Sequence, residues 1–385
     1  MGWVKLPVMS AVRVNIQPHM LAWALDSTGL PEAELEKRFP KLPQWHSGET
    51  RPTLKQAREL AKLARIPFGR LLLDEPSGER VGVTDFRTVG NKAMGTVSAD
   101  LRETIRSSQN RLAWYADFAD AEGIAPPTMY ASATVEHDPA ETAERTRELL
   151  GIERGKPFPG SDKVAELAAA MEEDGILVAR NSIVGNTTSR KLSVGEFRGF
   201  TIEDGGYVLV FVNTADAKTA QLFSLAHELG HVVLGRTGIS DHSEHADVER
   251  WCNRFAAAVI APLEAVERFF TDADLLDSVN RLSQRFGLSR EAMLWRLVEL
   301  GFTSREEASG VIGLVKASPS EPRESGGAPP FHVLVRSRVG GRFYDTVTHA
   351  WSHGQITERD AARYLGASSY ASLSKLAAVR HGKAV

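Results

Sequence analysis

The stretch SLAHELGHVVLG, residues 224–235, places two histidines four residues apart with a glutamate directly after the first. On a helix, residues i and i+4 share a face, so His227 and His231 can bind one metal ion together. Glu228 lies about 100° around the same helix and flanks that ion without having to bind it. This H-E-x-x-H arrangement offers two imidazole ligands for zinc and a carboxylate that can act as general base for a metal-activated water.

The alternative for the same stretch is a buried helix in which both histidines and the glutamate are satisfied by core hydrogen bonds. The surrounding residues are apolar nearly all round, and Gly230 is the only internal helix weakener, which predicts a buried helix. Burying three polar groups without partners costs several kcal/mol. A metal ion removes that cost, because neutral imidazole is a good zinc ligand. The sequence therefore favours a zinc site, with manganese as a second candidate ion.

A catalytic zinc needs a third protein ligand and one open position. The continuation H-E-x-x-H-x-x-G-x-x-H is absent, because Leu234 and Thr237 stand where its Gly and His would be. A second predicted helix, 246–262, offers Glu249, and Asn253 follows one turn later on the same face. The competing ligands are Asp247, His242, His245 and Cys252. Glu249 is favoured, because the aspartate lies on another face, the two histidines fall in a loop, and a lone cysteine is well suited to burial.

These segments resemble the ImmA/IrrE metallopeptidases, a gluzincin-type group. The resemblance rests on FSLAHELGHVVLG, on VERWCNRFAAAVIAP and on the strand segment that precedes the first, and it covers roughly residues 160–265. It implies zinc on His227, His231 and Glu249, with Glu228 as the base. It also implies cleavage of a helix-turn-helix repressor, which derepresses stress or mobile-element genes. Trp251 departs from the pattern, since many members carry a second acid there.

The composition bounds the class of protein. The chain has 385 residues, 42% apolar and 25% charged, which is typical of a soluble globular protein of two or three domains. A net charge of −3 gives no global attraction to nucleic acid or to a membrane. The single cysteine excludes an internal disulfide framework and fits a reducing cytoplasm. The sequence shows no apolar run of about 20 residues and no convincing signal peptide, so we expect a cytoplasmic protein without a membrane span.

The patterning predicts an α+β fold that is mainly helical, with a small β-sheet packed beside a zincin-like HExxH helix and flanked by helical modules. Five segments are predicted: an Xre-like helix-turn-helix domain at 1–75, a helical connector at 76–160, a zincin-like metallopeptidase domain at 161–316 with a helical extension from 263, a linker at 317–330, and a small helical C-terminal module at 331–385.

The first 75 residues resemble a divergent Xre-type helix-turn-helix domain. Residues 37–70 carry nine basic and two acidic side chains, which could attract DNA. The predicted reading segment, LPQWHSGE, offers only Gln44 and His46 to base edges, and we expect Trp45 in the core. The alternatives are weak DNA binding and a helical module used for docking or for a homodimer.

Two functions of different classes are consistent with this sequence. One is a zinc endopeptidase whose substrate is a helix-turn-helix repressor. The other is a non-proteolytic, zinc-containing transcriptional regulator or a toxin-antitoxin-like interaction module. Glu228 distinguishes them, because a purely structural zinc site has no need of a carboxylate between its ligands and fills its fourth position with protein.

Overall fold

The structure is a computed structural model, which describes residues 12–26, 28, 32–64, 66, 68–74, 98–236, 242–271, 274–317, 330–367, 372–374 and 376, without the side chains of 242–245. The first part of the predicted connector, 76–97, and nearly all of the predicted linker, 317–330, lie outside these residues. The described residues fall into two compact units, the first containing 12–74 and 98–106 and the second beginning at 107.

The first unit is a small helical bundle. Its elements are α1 (Pro18–Asp26), α2 (Glu32–Arg38), α3 (Leu42–His46), α4 (Leu54–Ala64) and a 3₁₀ turn (Phe68–Leu72), followed by the start of α5 (Ala99–Glu122). Trp45 is buried and its ring packs 5.4 Å from that of Phe39, so the expected core position of Trp45 is confirmed. On the same short helix α3, Gln44 is half-buried and His46 is exposed.

The second unit contains the sheet and the remaining helices. In chain order its elements are α6 (Pro139–Leu149), α7 (Lys163–Asp174), β1 (Leu177–Asn181), β2 (Ile183–Val184), β3 (Thr187–Lys191), β4 (Gly199–Asp204), β5 (Tyr207–Asn213), α8 (Lys218–Leu234), α9 (His242–Ile260), α10 (Leu263–Phe269), α11 (Leu275–Phe286), α12 (Arg290–Glu299), α13 (Arg305–Ala317), α14 (Phe331–Val339), α15 (Gly341–Ser352) and α16 (Glu358–Leu365).

The described sheet has three strands in the order β1-β5-β4, and β2 and β3 form a separate hairpin. β5 pairs parallel with β1 and antiparallel with β4, with Phe211 opposite both Ala179 and Phe200. All seven residues of β5 are buried, as expected for a central strand covered on both faces. Helix α8 packs on β4 and β5, and α7 packs on α8 and β1. The predicted fold class, mainly helical α+β with a small sheet beside the HExxH helix, is confirmed.

The C-terminal helices α14 and α15 pack against β1. The Arg342 guanidinium donates to the Glu172 carbonyl at 3.1 Å and to the Tyr115 hydroxyl at 2.7 Å. The Asn186 amide donates to the Gly366 carbonyl at 2.9 Å, which ties α16 to the β2–β3 hairpin. Residues 330–367 therefore share contacts with the sheet and with α7. Within the described part of the chain, no helix is both long enough and apolar enough to cross a membrane.

Candidate metal centre

Helix α8 is buried over most of its length and is closed tightly at its C-terminal end. Gly235 ends the helix with φ +60°, a conformation that favours glycine. A Cβ at this position would lie 2.7 Å from the Cβ of Ala131, so a larger residue would collide with the segment that crosses the helix end. The backbone N–H groups of Ala131 and Ala133 donate to the carbonyls of Val232 and Val233 at 3.0 Å. These contacts fix the turn of α8 that carries the second histidine.

The two histidines converge on one point. The Nε2 atoms of His227 and His231 are 3.1 Å apart, and both side chains are buried. This follows from their i, i+4 spacing, which places them on one face of α8. The carboxylate of Glu249 faces both rings: its Oε1 lies 3.2 Å from His231 Nε2 and its Oε2 lies 3.7 Å from His227 Nε2. The structure thus brings together the three predicted ligands, with 22% of the Glu249 side chain exposed.

The close crossing of α8 and α9 places Glu249 beside the two histidines. Helices α8 and α9 make the most extensive helix–helix contact in the described structure. At their crossing, a Cβ added to Gly230 would lie 3.2 Å from both Cys252 Sγ and a ring carbon of Phe255. The glycine that weakens α8 locally therefore allows α9 to approach closely, and the packing of the two helices compensates for the low helix propensity.

Two buried arginines hold the far end of α9. Arg296 Nε donates to the Ala261 carbonyl at 3.1 Å, and Arg147 Nη1 donates to the Val259 carbonyl at 2.6 Å. Both side chains are almost fully buried, and burial lowers the pKa of Arg147. The last carbonyls of a helix have no partner within it and carry partial negative charge, so these cations stabilise the helix end. The sequence does not indicate the role of either arginine, because their partners are 112 and 35 residues away in the chain.

The donor set fits a zinc ion. Ligand bonds of about 2.0–2.1 Å to nitrogen and oxygen imply ligand–ligand distances of about 3.3–3.4 Å around a tetrahedral ion. The three observed separations are 3.1, 3.2 and 3.7 Å, which bracket that value. Two neutral imidazoles and one carboxylate match the ligands of zinc sites that keep a fourth position for water or substrate. His227, His231 and Glu249 would therefore hold the ion.

The competing ligands are placed differently. Asp247 is exposed on α9 and forms an ion pair with Arg250. Cys252 is fully buried, and its Sγ lies within 4.8 Å of ligand nitrogens of both histidines, so it is the nearest alternative. We favour Glu249, because its oxygens approach the Nε2 atoms to 3.2 and 3.7 Å. Asn253 is half-buried one turn beyond Glu249. His242 and His245, the other competing ligands, were expected in a loop, but α9 begins at His242 and includes both; their side chains lie outside the described residues.

The Glu228 side chain is buried, and a residue of the sheet holds its carboxylate in place. Thr201 Oγ1, on β4, donates a hydrogen bond to Glu228 Oε2 at 2.8 Å. Gly199, two residues earlier on the same face of β4, leaves room for the other oxygen: a Cβ there would lie 2.9 Å from Glu228 Oε1. The carboxylate is therefore oriented by a strand while the histidines are oriented by the helix. The alternation of FRGFTI places Gly199 and Thr201 on one face, but only the packing of β4 on α8 shows that this face meets Glu228.

One family comparison matches this part of the chain. The IrrE N-terminal-like domain, a peptidase family, matches residues 173–298, about a third of the chain. The match contains the sheet, α8 and α9, and therefore every residue of the metal centre. Residues 173–298 are therefore similar to the IrrE N-terminal-like domain, which supports the resemblance to the ImmA/IrrE family. No curated protein matches the chain. The ImmA/IrrE-type domain indicates a metal-dependent peptidase role, and its cluster of buried ligand side chains could bind a metal ion.

Replacing Thr201 with valine is expected to lower activity while metal binding is retained. Valine keeps the shape but removes the hydroxyl that donates to Glu228, so the carboxylate loses a charge-assisted hydrogen bond. We expect kcat to fall about tenfold. Thr201→Ser keeps the donor and should retain most of the activity. Steady-state kinetics and metal analysis of both variants make the test. Equal kcat for Thr201→Val and wild type would contradict a positioning role for this hydroxyl.

Replacing Glu249 with alanine is expected to weaken metal binding more than the same change at Asp247 or Cys252. Loss of an outer partner of a ligand typically costs 10- to 100-fold in metal affinity, and loss of a ligand itself should cost at least about 100-fold. Asp247→Ala should change affinity little, because Asp247 faces solvent beside Arg250. Competition with a chelating dye measures the metal affinity of all three variants. A larger loss in Cys252→Ala would assign the third ligand to the thiolate.

Proposed function

We propose that the chain is a zinc-dependent endopeptidase that cleaves a protein substrate, a helix-turn-helix transcriptional repressor. The observation that carries this proposal is the placement of Glu228. Its carboxylate is buried beside the two histidines and held by Thr201 on β4, while Glu249 completes a set of three ligands from another helix. Three ligands and an adjacent carboxylate that does not join them match a hydrolytic site better than a closed structural one.

In this mechanism Glu228 transfers the proton and Thr201 orients Glu228. Zinc, when bound, supplies Lewis acidity that polarises the scissile carbonyl and lowers the pKa of water to about 7. Glu228 accepts the proton of the attacking water, and a new C–O bond forms at the carbonyl carbon. Glu228 then delivers that proton to the amine nitrogen as the C–N bond breaks. Thr201 keeps the carboxylate in one orientation through both proton transfers. Manganese would be held by the same three ligands as zinc.

The proposed cellular role follows from the ImmA/IrrE-type domain and from the helical N-terminal unit. Cleavage of a repressor would derepress its stress or mobile-element genes. To test this, the full chain is co-expressed with a helix-turn-helix repressor encoded beside it, and the fragments are detected and their new N-termini sequenced. We expect one or a few defined cleavage sites that require Glu228. An intact repressor in the presence of metal-loaded protein would contradict the proposed substrate.

The N-terminal unit is proposed to bind DNA only weakly. Its most basic segment is partly neutralised, since Arg38 pairs with Glu59 at 3.3 Å, and α3 presents only Gln44 and His46 beside the buried Trp45. We expect the full chain to bind duplex DNA without sequence preference and to release it as salt rises. Mobility shifts across a salt series measure this. A sharp footprint that survives at 200 mM salt, near physiological ionic strength, would show specific readout.

A further inference from the structure

A pocket lies at the opposite end of α8 from the metal centre. It has a volume of about 660 Å³, and α7, α8, α10 and α11 all contribute to its lining. Lys218, which lines it, lies nine residues before His227, which corresponds to about 13 Å along the helix and to the opposite helix face. The pocket is therefore separate from the proposed peptidase site, and nothing in the proposed reaction uses it.

The lining of this pocket is rich in cations. It contains four basic side chains and one carboxylate, namely Lys163, Lys218, Arg281, Arg285 and Asp162, and we call it the cationic pocket. Lys163 and Arg285 lie close enough to repel one another: burial first, and the positive charge of Arg285 second, lower the pKa of Lys163. Arg285 is held over the Phe269 ring at 3.9 Å from its centroid. Two like charges are thus kept together by the surrounding structure.

The carboxylates near the pocket leave part of this charge unmatched. Asp162 pairs with Lys218 at 3.1 Å, and Asp277 pairs with Arg281 at 2.8 Å. Lys163 instead donates to the carbonyls of Phe158 and Gly160, at 3.2 and 3.4 Å. Within the described residues, neither Lys163 nor Arg285 has a carboxylate within ion-pair distance, although Glu166 is near enough to Lys163 to oppose the lowering of its pKa. These two cations are the ones available to an anion.

Two helix ends add positive potential to the same place. The first turns of α7 and α8 both line the pocket, through Lys163 and Val164 and through Lys218 and Thr219. The N-terminal end of a helix carries partial positive charge and backbone N–H groups without intrahelical partners. Asp162 caps α7, whereas the cap of α8, Ala217, offers no side-chain acceptor. Both helix ends reinforce the attraction that the side-chain cations already provide.

We propose that the cationic pocket binds a small organic molecule that carries a phosphate group. The phosphate would lie between Lys163 and Arg285. The buried side chains of Val164, Leu222 and Leu282 would contact the organic part. The volume is within the range of small-molecule pockets and far exceeds that of a single phosphate ion. A concave site with an apolar floor also fits a compact ligand better than the extended backbone of a nucleic acid.

Calorimetry on the full chain as purified tests this inference. The probes are adenosine 5′-monophosphate, ribose 5-phosphate, adenosine and inorganic phosphate. We expect at least one of the two organic phosphates to bind at one site per chain, at least about tenfold more tightly than inorganic phosphate, and adenosine not to bind. Arg285→Gln and Lys163→Gln should each weaken binding at least about tenfold, since each removes a charge-assisted hydrogen bond.

The controls separate this pocket from other sites. Arg305→Gln removes an exposed positive charge from the first turn of α13, outside the pocket, and should leave binding unchanged. Because Lys163 also makes structural hydrogen bonds, the thermal stability of each variant is measured without ligand, and Arg285→Gln is expected to melt like wild type. Unaltered affinity in Arg285→Gln would overturn the proposal. The proposal would also be overturned if neither organic phosphate bound at millimolar concentration, or if inorganic phosphate bound as tightly as the organic phosphates. Binding that depends on Arg285 but is seen only with duplex DNA would overturn it as well.

Discussion

Glu228→Gln is expected to give a folded, metal-loaded protein whose kcat is reduced on the order of 100-fold or more. Glutamine keeps the size of the side chain and can still accept the hydrogen bond from Thr201, which lies 2.8 Å from Glu228 Oε2. It cannot accept a proton from the attacking water. Because Glu228 is not among the three converging ligands, the metal content should equal that of wild type.

This variant also separates binding from chemistry. Since its metal and its buried surroundings are retained, Glu228→Gln should bind substrate and could capture the repressor for identification. Single-turnover cleavage, circular dichroism and metal analysis on one preparation measure the rate of the chemical step, the fold and the metal content. A reduction of less than about threefold, with full metal content, would show that Glu228 is not the principal base.

His227→Ala and His231→Ala are each expected to abolish tight metal binding. Each removes one of two nitrogens that lie 3.1 Å apart, and the remaining imidazole and carboxylate would hold the ion far less tightly. The loss should exceed the 10- to 100-fold that removal of an outer partner of a ligand typically costs. Metal content after dialysis, and affinity by competition with a chelating dye, measure the effect. Peptidase activity should be lost together with the metal.

The chain offers a matched control for the histidine variants. His349 on α15 and His353, the residue that follows the helix as its C-cap, have the same i, i+4 spacing, and their ring centroids are 4.1 Å apart. They are exposed, and no carboxylate follows the first of them. His349→Ala should therefore leave the tightly bound metal and the activity unchanged. Full metal retention in both His227→Ala and His231→Ala would contradict the predicted site.

The sequence predicted what depends on local geometry. The i, i+4 spacing fixes two histidines on one helix face wherever the helix lies, so His227 and His231 could be paired without knowledge of the fold. Glu249 could be selected because the helical pattern of 246–262 places it on a face that can be turned toward the metal. In both cases the decisive information lies within a few helical turns, and the structure brings these three side chains together.

The rest depends on contacts between distant parts of the chain. That Thr201 orients Glu228 requires β4 to pack on α8 in one register, and a shift of one residue would turn Thr201 to the other face. Gly230 looked like a weakness in a helix and proved to be the crossing point with α9. Arg147 and Arg296 reach backbone carbonyls 112 and 35 residues away. No pattern within a short stretch of sequence indicates such partners.

The cationic pocket illustrates the same limit. Its four basic residues come from three helices, and in the sequence each looks like an ordinary surface charge. Only the fold brings Lys163 of α7 close to Arg285 of α11. The predicted C-terminal helices show a related effect, since their contacts with β1 and with Glu172 depend on packing that the composition of a helical segment does not specify.

The most direct test of the central claim, that this centre is hydrolytic and not structural, compares Glu228→Gln with His227→Ala in cells that contain the repressor. Repressor cleavage and metal content are measured for both variants beside wild type. A hydrolytic centre predicts that both variants lose cleavage and that only His227→Ala loses the metal. A structural or sensing site predicts instead that the repressor stays intact in all three proteins, and that expression of its target genes is unchanged by Glu228→Gln but altered by His227→Ala; that result would contradict the account.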